Sequence, residues 1–297
     1  QMRAQSTLSG AAGAFSVAPD TSFYGRVVES MKWYGGVEAA GATVFNTGTG
    51  ADLPIPTDDD TANTGAIVAE EGSHDSGTDV TMGQKILKAY LYSSKMIKVS
   101  WQLLQDGSFD FEAYLGRKFG IRLGRIQNTH FTTGIGSGQP QGVVTAATVG
   151  RQSAVGFSTS VPFDDVLRLI HSVDPAYRQS PACRFMTHDN TALEYELLKD
   201  GNGQYLWRSS NEAGAPSTMK GYPVVINNDM AAMAASAKHS AFGDFSHFFI
   251  RRVLGIQVLR LNELYAANGQ VGFMAFLRAD GGLIDAAAVK VLQNSAT

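Results

Sequence analysis

The sequence has little charge, one cysteine and no long apolar run. Of its 297 residues only 17% are charged, and the formal net charge is −3. So small a bulk charge provides no clustered basic field for nucleic acid or an anionic membrane surface. The single Cys183 excludes a disulfide framework and a multi-thiolate metal site, which favours a reducing compartment. No run of about 18 apolar residues occurs, so we predict no membrane partner.

The first 43 residues are rich in small side chains and have no regular apolar period. The run from Ser6 to Pro19 is rich in Gly, Ala and Ser, and bulk is confined to Phe23 to Trp33. This composition predicts an extended arm better than a domain. No secretory signal is recognisable, which indicates a cytoplasmic protein. The start at Gln1 has two open explanations, which are trimming of a longer precursor and a choice of numbering.

The segment from Asn46 to Met82 carries eight acidic residues and no Lys or Arg. These residues are Asp52, Asp58, Asp59, Asp60, Glu70, Glu71, Asp75 and Asp79. Apolar stretches at 51–56 and 85–92, with Asp, Thr, Gly and Ser between them, predict a long two-stranded hairpin. An isolated hairpin is marginally stable in water. We therefore expect this hairpin to lie on a partner surface.

A stripe of apolar residues at helical spacing follows the hairpin and predicts a long helix. The stripe consists of Phe111, Leu115, Phe119, Leu123 and Ile126. Four cations lie largely off the stripe, namely Arg117, Lys118, Arg122 and Arg125. A basic segment thus directly follows an acidic one. Such cations are typical of a solvated face or an inter-subunit contact, and a nucleic-acid-binding helix is the alternative.

The rest of the chain mixes helices and buried strands. Residues 134–142 form a loop by their glycines and proline, and Pro162 and Pro175 bracket a short helix. Buried strands are predicted at 224–226 and 248–250, and Phe273 and Phe276 supply the bulk of a late strand. The predicted fold class is α+β.

No catalytic or metal-binding motif stands out. The glycines from Gly134 to Gly138 give GxGxG, and they follow a helix, which favours a plain loop over a dinucleotide site. The six histidines are scattered, and the acidic run from Asp58 to Asp60 lacks the ligand spacing of a calcium loop. Cys183 is interpreted as buried and inert. We therefore predict no enzymatic activity, no metal and no cofactor.

Five blocks, taken in order, resemble the major capsid protein family of tailed phages, which has the Hong Kong 97 fold. The blocks are GIGSGQPQG at 134–142, LKDGNGQYLW at 198–207, GYPVVINNDM at 221–230, GDFS at 243–246 running into GIQV at 255–258, and FLRADGGLID at 276–285 before AVKVL at 288–292. Each block alone is weak. Together they are spread over more than half of the chain and are specific.

The resemblance implies four regions. Residues 1–43 would be an N-terminal arm and 44–84 an extended β-hairpin loop, both reaching over neighbouring subunits. Residues 85–137 and 250–297 would form a peripheral domain, whose spine helix carries the apolar stripe. Residues 138–249 would form the axial domain.

The resemblance also implies a structural function. Copies would self-assemble into pentamers and hexamers of an icosahedral-type shell that encloses double-stranded DNA without sequence preference. Its partners would include a portal and a scaffold or protease. The protein would be part of the virion and would assemble in the bacterial host cytoplasm. A gene transfer agent (GTA) or an encapsulating compartment is the alternative, and a globular nucleic-acid-binding protein is a more distant one.

One property of some relatives does not carry over. Those relatives cross-link a Lys of the extended loop to an Asn of the peripheral domain, but residues 44–84 contain no Lys, and Val271 and Arg278 stand near the partner position. We therefore expect non-covalent contacts between subunits. The expected contact residues are acidic on the loop and basic on the helix, namely Asp58, Asp59, Asp60, Glu70, Glu71, Arg117, Lys118, Arg122 and Arg125.

Overall fold

The computed structural model describes residues 35–61, 63, 64, 67, 68, 70, 79, 80, 82–106, 111–207 and 217–297. Its helices are α1 (Gly36–Ala39), α2 (Trp101–Asp106), α3 (Phe111–Thr133), α4 (Val143–Ala146), α5 (Phe163–Ser172), α6 (Pro175–Arg178) and α7 (Asp189–Glu196). Its strands are β1 (Thr43–Thr47), β2 (Leu53–Asp58), β3 (Met82–Leu87), β4 (Tyr90–Ser93), β5 (Ile97–Ser100), β6 (Thr148–Gln152), β7 (Cys183–Thr187), β8 (Thr218–Met219), β9 (Tyr222–Ile226), β10 (Lys238–Asp244), β11 (Phe248–Leu261), β12 (Gln270–Leu283) and β13 (Val289–Gln293). The predicted α+β class is confirmed.

A five-stranded sheet is built around the long antiparallel pair β11 and β12. Its order is β1-β11-β12-β4, and β5 pairs with the remaining part of β12. Helix α3 packs against β12, and its apolar residues join the core that the sheet covers. No helix among the described residues is long and apolar enough to span a membrane.

The chain enters this sheet through α1 and β1. Val37 and Ala40 are fully buried, and β1 pairs in parallel with β11, with Thr43 opposite Phe249. Residues 36–47 therefore belong to the body of the protein, because their apolar side chains fill its core. Residues 1–34 lie outside the described part of the chain, and the arm predicted over residues 1–43 stays a prediction whose described end, 36–43, packs on the body.

A six-stranded sheet forms the second layer, with the order β6-β13-β10-β7-β9-β8. Its central strand β10 is buried at every residue from His239 to Asp244. Strand β13, near the end of the chain, pairs with β10 and β6 in this sheet. Residues 289–293 of the predicted peripheral range 250–297 thus pair in this second sheet, and the range itself stays a prediction.

Gly243 in β10 is required by the close approach of the chain just before β13. Its φ is 148°, and a Cβ atom there would lie 2.0 Å from the carbonyl oxygen of Ala288. A larger residue would push the two strands apart. This contact explains the glycine of the GDFS block.

Helix α3 buries four of the five stripe residues, namely Phe111, Leu115, Phe119 and Leu123. The prediction is wrong for Ile126, which is 39% exposed. Each residue turns the helix by about 100°, so a buried face that follows steps of four residues moves gradually around the axis. At this level of the helix the core-facing positions are Gln127 and Phe131, which are 3% and 1% exposed.

Candidate functional site

The extended hairpin, defined as residues 53–87 with strands β2 and β3, carries the acidic segment. The predicted two-stranded pairing is present, from Leu53 opposite Leu87 to Asp58 opposite Met82. Leu87 is the one buried residue of the two strands. Ile86 is 44% exposed and Met82 is 76% exposed. The body of the same chain thus leaves apolar side chains of this hairpin uncovered.

The acidic turn after β2 is exposed at Asp58, Asp59 and Asp60. Asp59 accepts hydrogen bonds from the hydroxyl of Thr61 at 2.7 Å and from its amide at 3.3 Å, and these bonds lower the pKa of Asp59. Asp60 accepts a hydrogen bond from the side-chain amide of Asn63 at 2.5 Å. These bonds order the turn and hold Asp59 in its charged form.

The other predicted acidic contacts lie further along the hairpin. Glu70 is exposed, and Glu71 lies outside the described residues. Within the described part of the chain, no group of three or more His, Cys, Asp or Glu side chains could hold a metal ion. The geometry of the acidic turn therefore supports a charged surface better than an ion site.

The cations of α3 lie on its solvent side. Arg117, Arg122 and Arg125 are exposed, and Lys118 is half-buried with its Nζ 5.4 Å from the centroid of the Tyr114 ring. Arg122 donates a hydrogen bond to the Ser94 carbonyl at 3.4 Å. Among the ion pairs of the described residues, none joins Arg117, Arg122 or Arg125 to an acid of the hairpin. These three exposed arginines therefore present positive charge on the surface of the chain.

His188 and Cys183, two residue types that often serve in catalysis, have structural roles here. The ring of His188 accepts a hydrogen bond from the amide of Asn190 at 3.0 Å and caps α7. Cys183 is 2% exposed, as expected, and burial raises the pKa of its thiol to about 12. A thiol with such a pKa is not a nucleophile near neutral pH.

The glycine-rich loop after α3 is a compact turn that supports the root of the hairpin. A Cβ atom at Gly134 would lie 2.3 Å from the carbonyl oxygen of Pro140, so the backbone needs glycine there. Gln141 accepts a hydrogen bond from Nζ of Lys85 in β3 at 2.5 Å. The loop thus has a structural contact in place of a phosphate-binding geometry.

A groove of about 470 Å³ lies between α1, α3 and β11, and sequence reasoning missed it. Gly120, Gly124 and Gly255 line it, which lets another backbone approach closely. Nε2 of Gln127 and Nε of Arg252 are buried donors without an acceptor in the described part of the chain. They could bind carbonyl or carboxylate oxygens. One feature of the sequence could have indicated this groove. The polar Gln127 stands four residues after Leu123, where the four-residue steps of the apolar stripe would place another core residue.

Comparisons with known proteins agree on one architecture. A family model described as the phage capsid family matches residues 13–294. The capsid of a native GTA particle is 27% identical with a TM-score of 0.80, and the match covers 96% of this chain and 98% of that chain. The capsid of an empty GTA particle is 27% identical with a TM-score of 0.79, covering 98% and 99% of the two chains.

A more distant chain has the same fold. A structure of Microbacterium phage Oxtober96 is 16% identical with a TM-score of 0.70, and the match covers 97% of this chain and 99% of that one. No curated protein matches the chain. Together with the GTA capsids, these similarities confirm the fold that the five sequence blocks implied.

Proposed function

The chain belongs to the phage capsid family and is a shell-forming major capsid protein, and we propose that its copies form pentamers and hexamers of an icosahedral-type shell around double-stranded DNA. The observation that carries this proposal is the extended hairpin, whose strands bury Leu87 alone on their own chain. Exposed apolar residues of this kind need a covering surface. A neighbouring copy in a shell supplies it. The proposed role is structural, without catalysis or a cofactor.

The proposed contact pairs the acidic hairpin of one copy with the basic side of α3 on another. Asp58, Asp59, Asp60, Glu70 and Glu71 would face Arg117, Lys118, Arg122 and Arg125. Complementary charge fixes the register of an interface and speeds association more than it adds affinity. Buried apolar surface would supply the affinity, and many repeated weak contacts make the shell stable.

The proposed regions keep the order implied by the resemblance, with boundaries adjusted to the strands. The arm would precede residue 35, residues 36–47 would belong to the peripheral domain through α1 and β1, and the extended loop would span 48–84. The peripheral domain would combine 85–137 with β11 and β12. The axial domain would combine 138–249 with β13, which lies in its six-stranded sheet.

The proposed DNA contact is loose and independent of sequence. The formal net charge of −3 gives the chain no strongly basic field, so its contacts would be few. Portal, scaffold and protease partners, and assembly in the cytoplasm of a bacterial host, complete the proposal. A GTA particle is the second candidate, favoured by the 27% identity to GTA capsids over almost the whole chain.

Electron microscopy of the purified full chain tests this function. We expect capsomers or closed shells, and particles recovered from the producing cells should contain nuclease-protected double-stranded DNA. The length of that DNA separates a phage, which packages one genome, from a GTA. A uniform monomer that binds DNA with a steep salt dependence would instead support the globular nucleic-acid-binding protein.

A further inference from the structure

Arg251, in the middle of β11, is a buried cation that no motif of the sequence distinguishes. Its side chain is among the largest that are fully buried, with 2% of the residue exposed. Burial of a charge is costly unless it is paired or hydrogen-bonded. The bonds that hold this guanidinium therefore indicate what it does.

The guanidinium binds both segments that connect the extended hairpin to the body. Nε donates to the hydroxyl of Thr47 at 3.0 Å, and Nη2 donates to the carbonyl of Thr49 at 2.8 Å. Both acceptors precede the hairpin. Nη1 donates to the carbonyl of Leu87 at 2.9 Å, at the end of β3. One side chain thus joins the entry and the exit of the hairpin.

Asp280 acts on the same root from the neighbouring strand. It lies opposite Arg251 in the pairing of β11 with β12 and is 5% exposed. Its Oδ2 accepts a hydrogen bond from the amide of Lys88 at 2.5 Å, and its Oδ1 accepts one from the amide of Gly281 at 2.8 Å. Burial raises the pKa of Asp280, while the charge of Arg251 opposes this effect. Since Nη1 of Arg251 also donates to the carbonyl of Lys88 at 3.4 Å, Lys88 is held from both β11 and β12.

Among the described residues beyond this root, the hydrogen bonds of Asp59 and Asp60 lie within the acidic turn, to Thr61 and Asn63. Ile86 and Met82 are exposed. Nζ of Lys85 reaches Gln141, close to the root. The direction in which the hairpin leaves the body therefore depends on the bonds at its two ends.

We infer that Arg251 and Asp280 are positioning residues that fix the direction of the extended hairpin and thereby its placement on a neighbouring copy. Arginine suits this role because its planar fork presents several donors in fixed directions, whereas lysine presents one flexible ammonium group. The inference rests on the proposed use of the hairpin as an inter-subunit contact. Its structural part, the ordering of the hairpin, is testable on the unassembled chain.

The test compares Arg251→Lys with Val253→Ala, a core variant of the same strand. The two variants are compared under conditions that give them equal denaturation midpoints. Val253 is 2% exposed, so its truncation also destabilises the body, but none of the bonds that hold the hairpin root comes from its side chain. In Arg251→Lys we expect amide hydrogen exchange of β2 and β3 to rise about ten-fold or more, as losing charge-assisted hydrogen bonds would allow. We also expect a matching loss of closed shells. Val253→Ala should keep both slow exchange in the hairpin and shell formation.

Milder variants keep the test decisive if Arg251→Lys does not fold. Thr47→Val removes one acceptor of Arg251, and Asp280→Asn removes the charge while keeping an oxygen for the amide of Lys88. Each should give a smaller rise in hairpin exchange at the same sites. Unchanged exchange in these variants, or shell yields equal to Val253→Ala at equal stability, would overturn the inference. If hairpin exchange rises in these variants but the wild-type protein forms no shells, the result would refute the proposed function. It would leave the ordering of the hairpin by Arg251 and Asp280 intact.

Discussion

The extended hairpin and the six-stranded sheet belong to one chain but bury their side chains very differently. In β10 every residue from His239 to Asp244 is buried, and the Phe242 ring packs against the rings of Phe185 and Tyr222. In β2 and β3 the buried residue is Leu87, at the root. The sheet is therefore stabilised by its own packing. The hairpin has the composition of a segment that becomes stable when another copy covers it.

The largest expected effect separates these two regions. Phe242→Ala should lower the free energy of unfolding of the subunit by about 3–5 kcal/mol, because the side chain is fully buried and a cavity would remain. Ile86→Ala on the hairpin should cost less than about 1 kcal/mol, since Ile86 is 44% exposed. Urea unfolding of the dissociated subunit measures both values. Equal losses would contradict the contrast between sheet and hairpin.

A second pair extends the comparison to α3. Leu123→Ala should cost about 2–5 kcal/mol, because Leu123 is 1% exposed in the core. Ile126→Ala should cost less than about 1 kcal/mol, because Ile126 is 39% exposed. Thermal or urea unfolding of the subunit provides the measurement. A large loss in Ile126→Ala alone would mean that the buried face follows the original stripe after all.

The third prediction uses pH to weaken the sheet selectively. His239 is fully buried beside Tyr195 and Ser240, and burial lowers its pKa from 6.5 to about 4. The unfolded chain therefore binds a proton that the folded chain excludes. The corresponding stability is complete above about pH 6.5 and is lost as the pH falls through about 4. We expect a loss of up to about 3 kcal/mol from this residue.

Urea unfolding at several pH values between 7.5 and 4.5 checks the histidine effect. His239→Gln should flatten the pH dependence relative to the wild type, even if its stability at pH 7.5 is lower. Carboxylates such as Asp244, whose pKa is lowered in the folded chain, retain their own contribution in both proteins. Parallel curves for the two proteins would show that His239 does not titrate as its burial requires.

Local patterns were predictable from sequence in this chain, and long-range pairing was not. The hairpin followed from apolar stretches around an acidic turn, and α3 followed from steps of four residues. Nothing in residues 43–47 shows that they pair with β11, about two hundred positions later. The sequence likewise does not show that β13 joins the other sheet. The partners of a strand depend on the whole chain.

The candidate site divides in the same way. The charged residues were recognisable because they are clustered in sequence, whereas Arg251 is one basic residue beside another, Arg252. Its importance comes from acceptors on Thr47, Thr49 and Leu87, which the fold alone brings together. Ile126 was misplaced because a straight stripe ignores the slow turn of the buried face.

The smallest expected effect per contact tests the charge of the hairpin. An exposed ion pair contributes about 0.2–1 kcal/mol, so reversal of Glu70 and Glu71 to Lys should leave subunit stability nearly unchanged. The small loss of contact free energy between two subunits, repeated at every copy of the shell, should lower the yield of particles. Sedimentation at low and high salt measures that yield. The difference from the wild type should shrink at high salt because exposed charges are screened.

A matched control separates local charge from net charge in this experiment. Glu194→Lys with Glu196→Lys on α7 changes the net charge by the same amount outside the hairpin, and it should assemble normally. Adding Arg117→Glu and Arg125→Glu to the Glu70 and Glu71 reversal should restore particles, because opposite signs then face each other again. Normal particles from the hairpin reversal alone would show that the hairpin docks through its apolar residues, with Ile86 and Met82 carrying the contact.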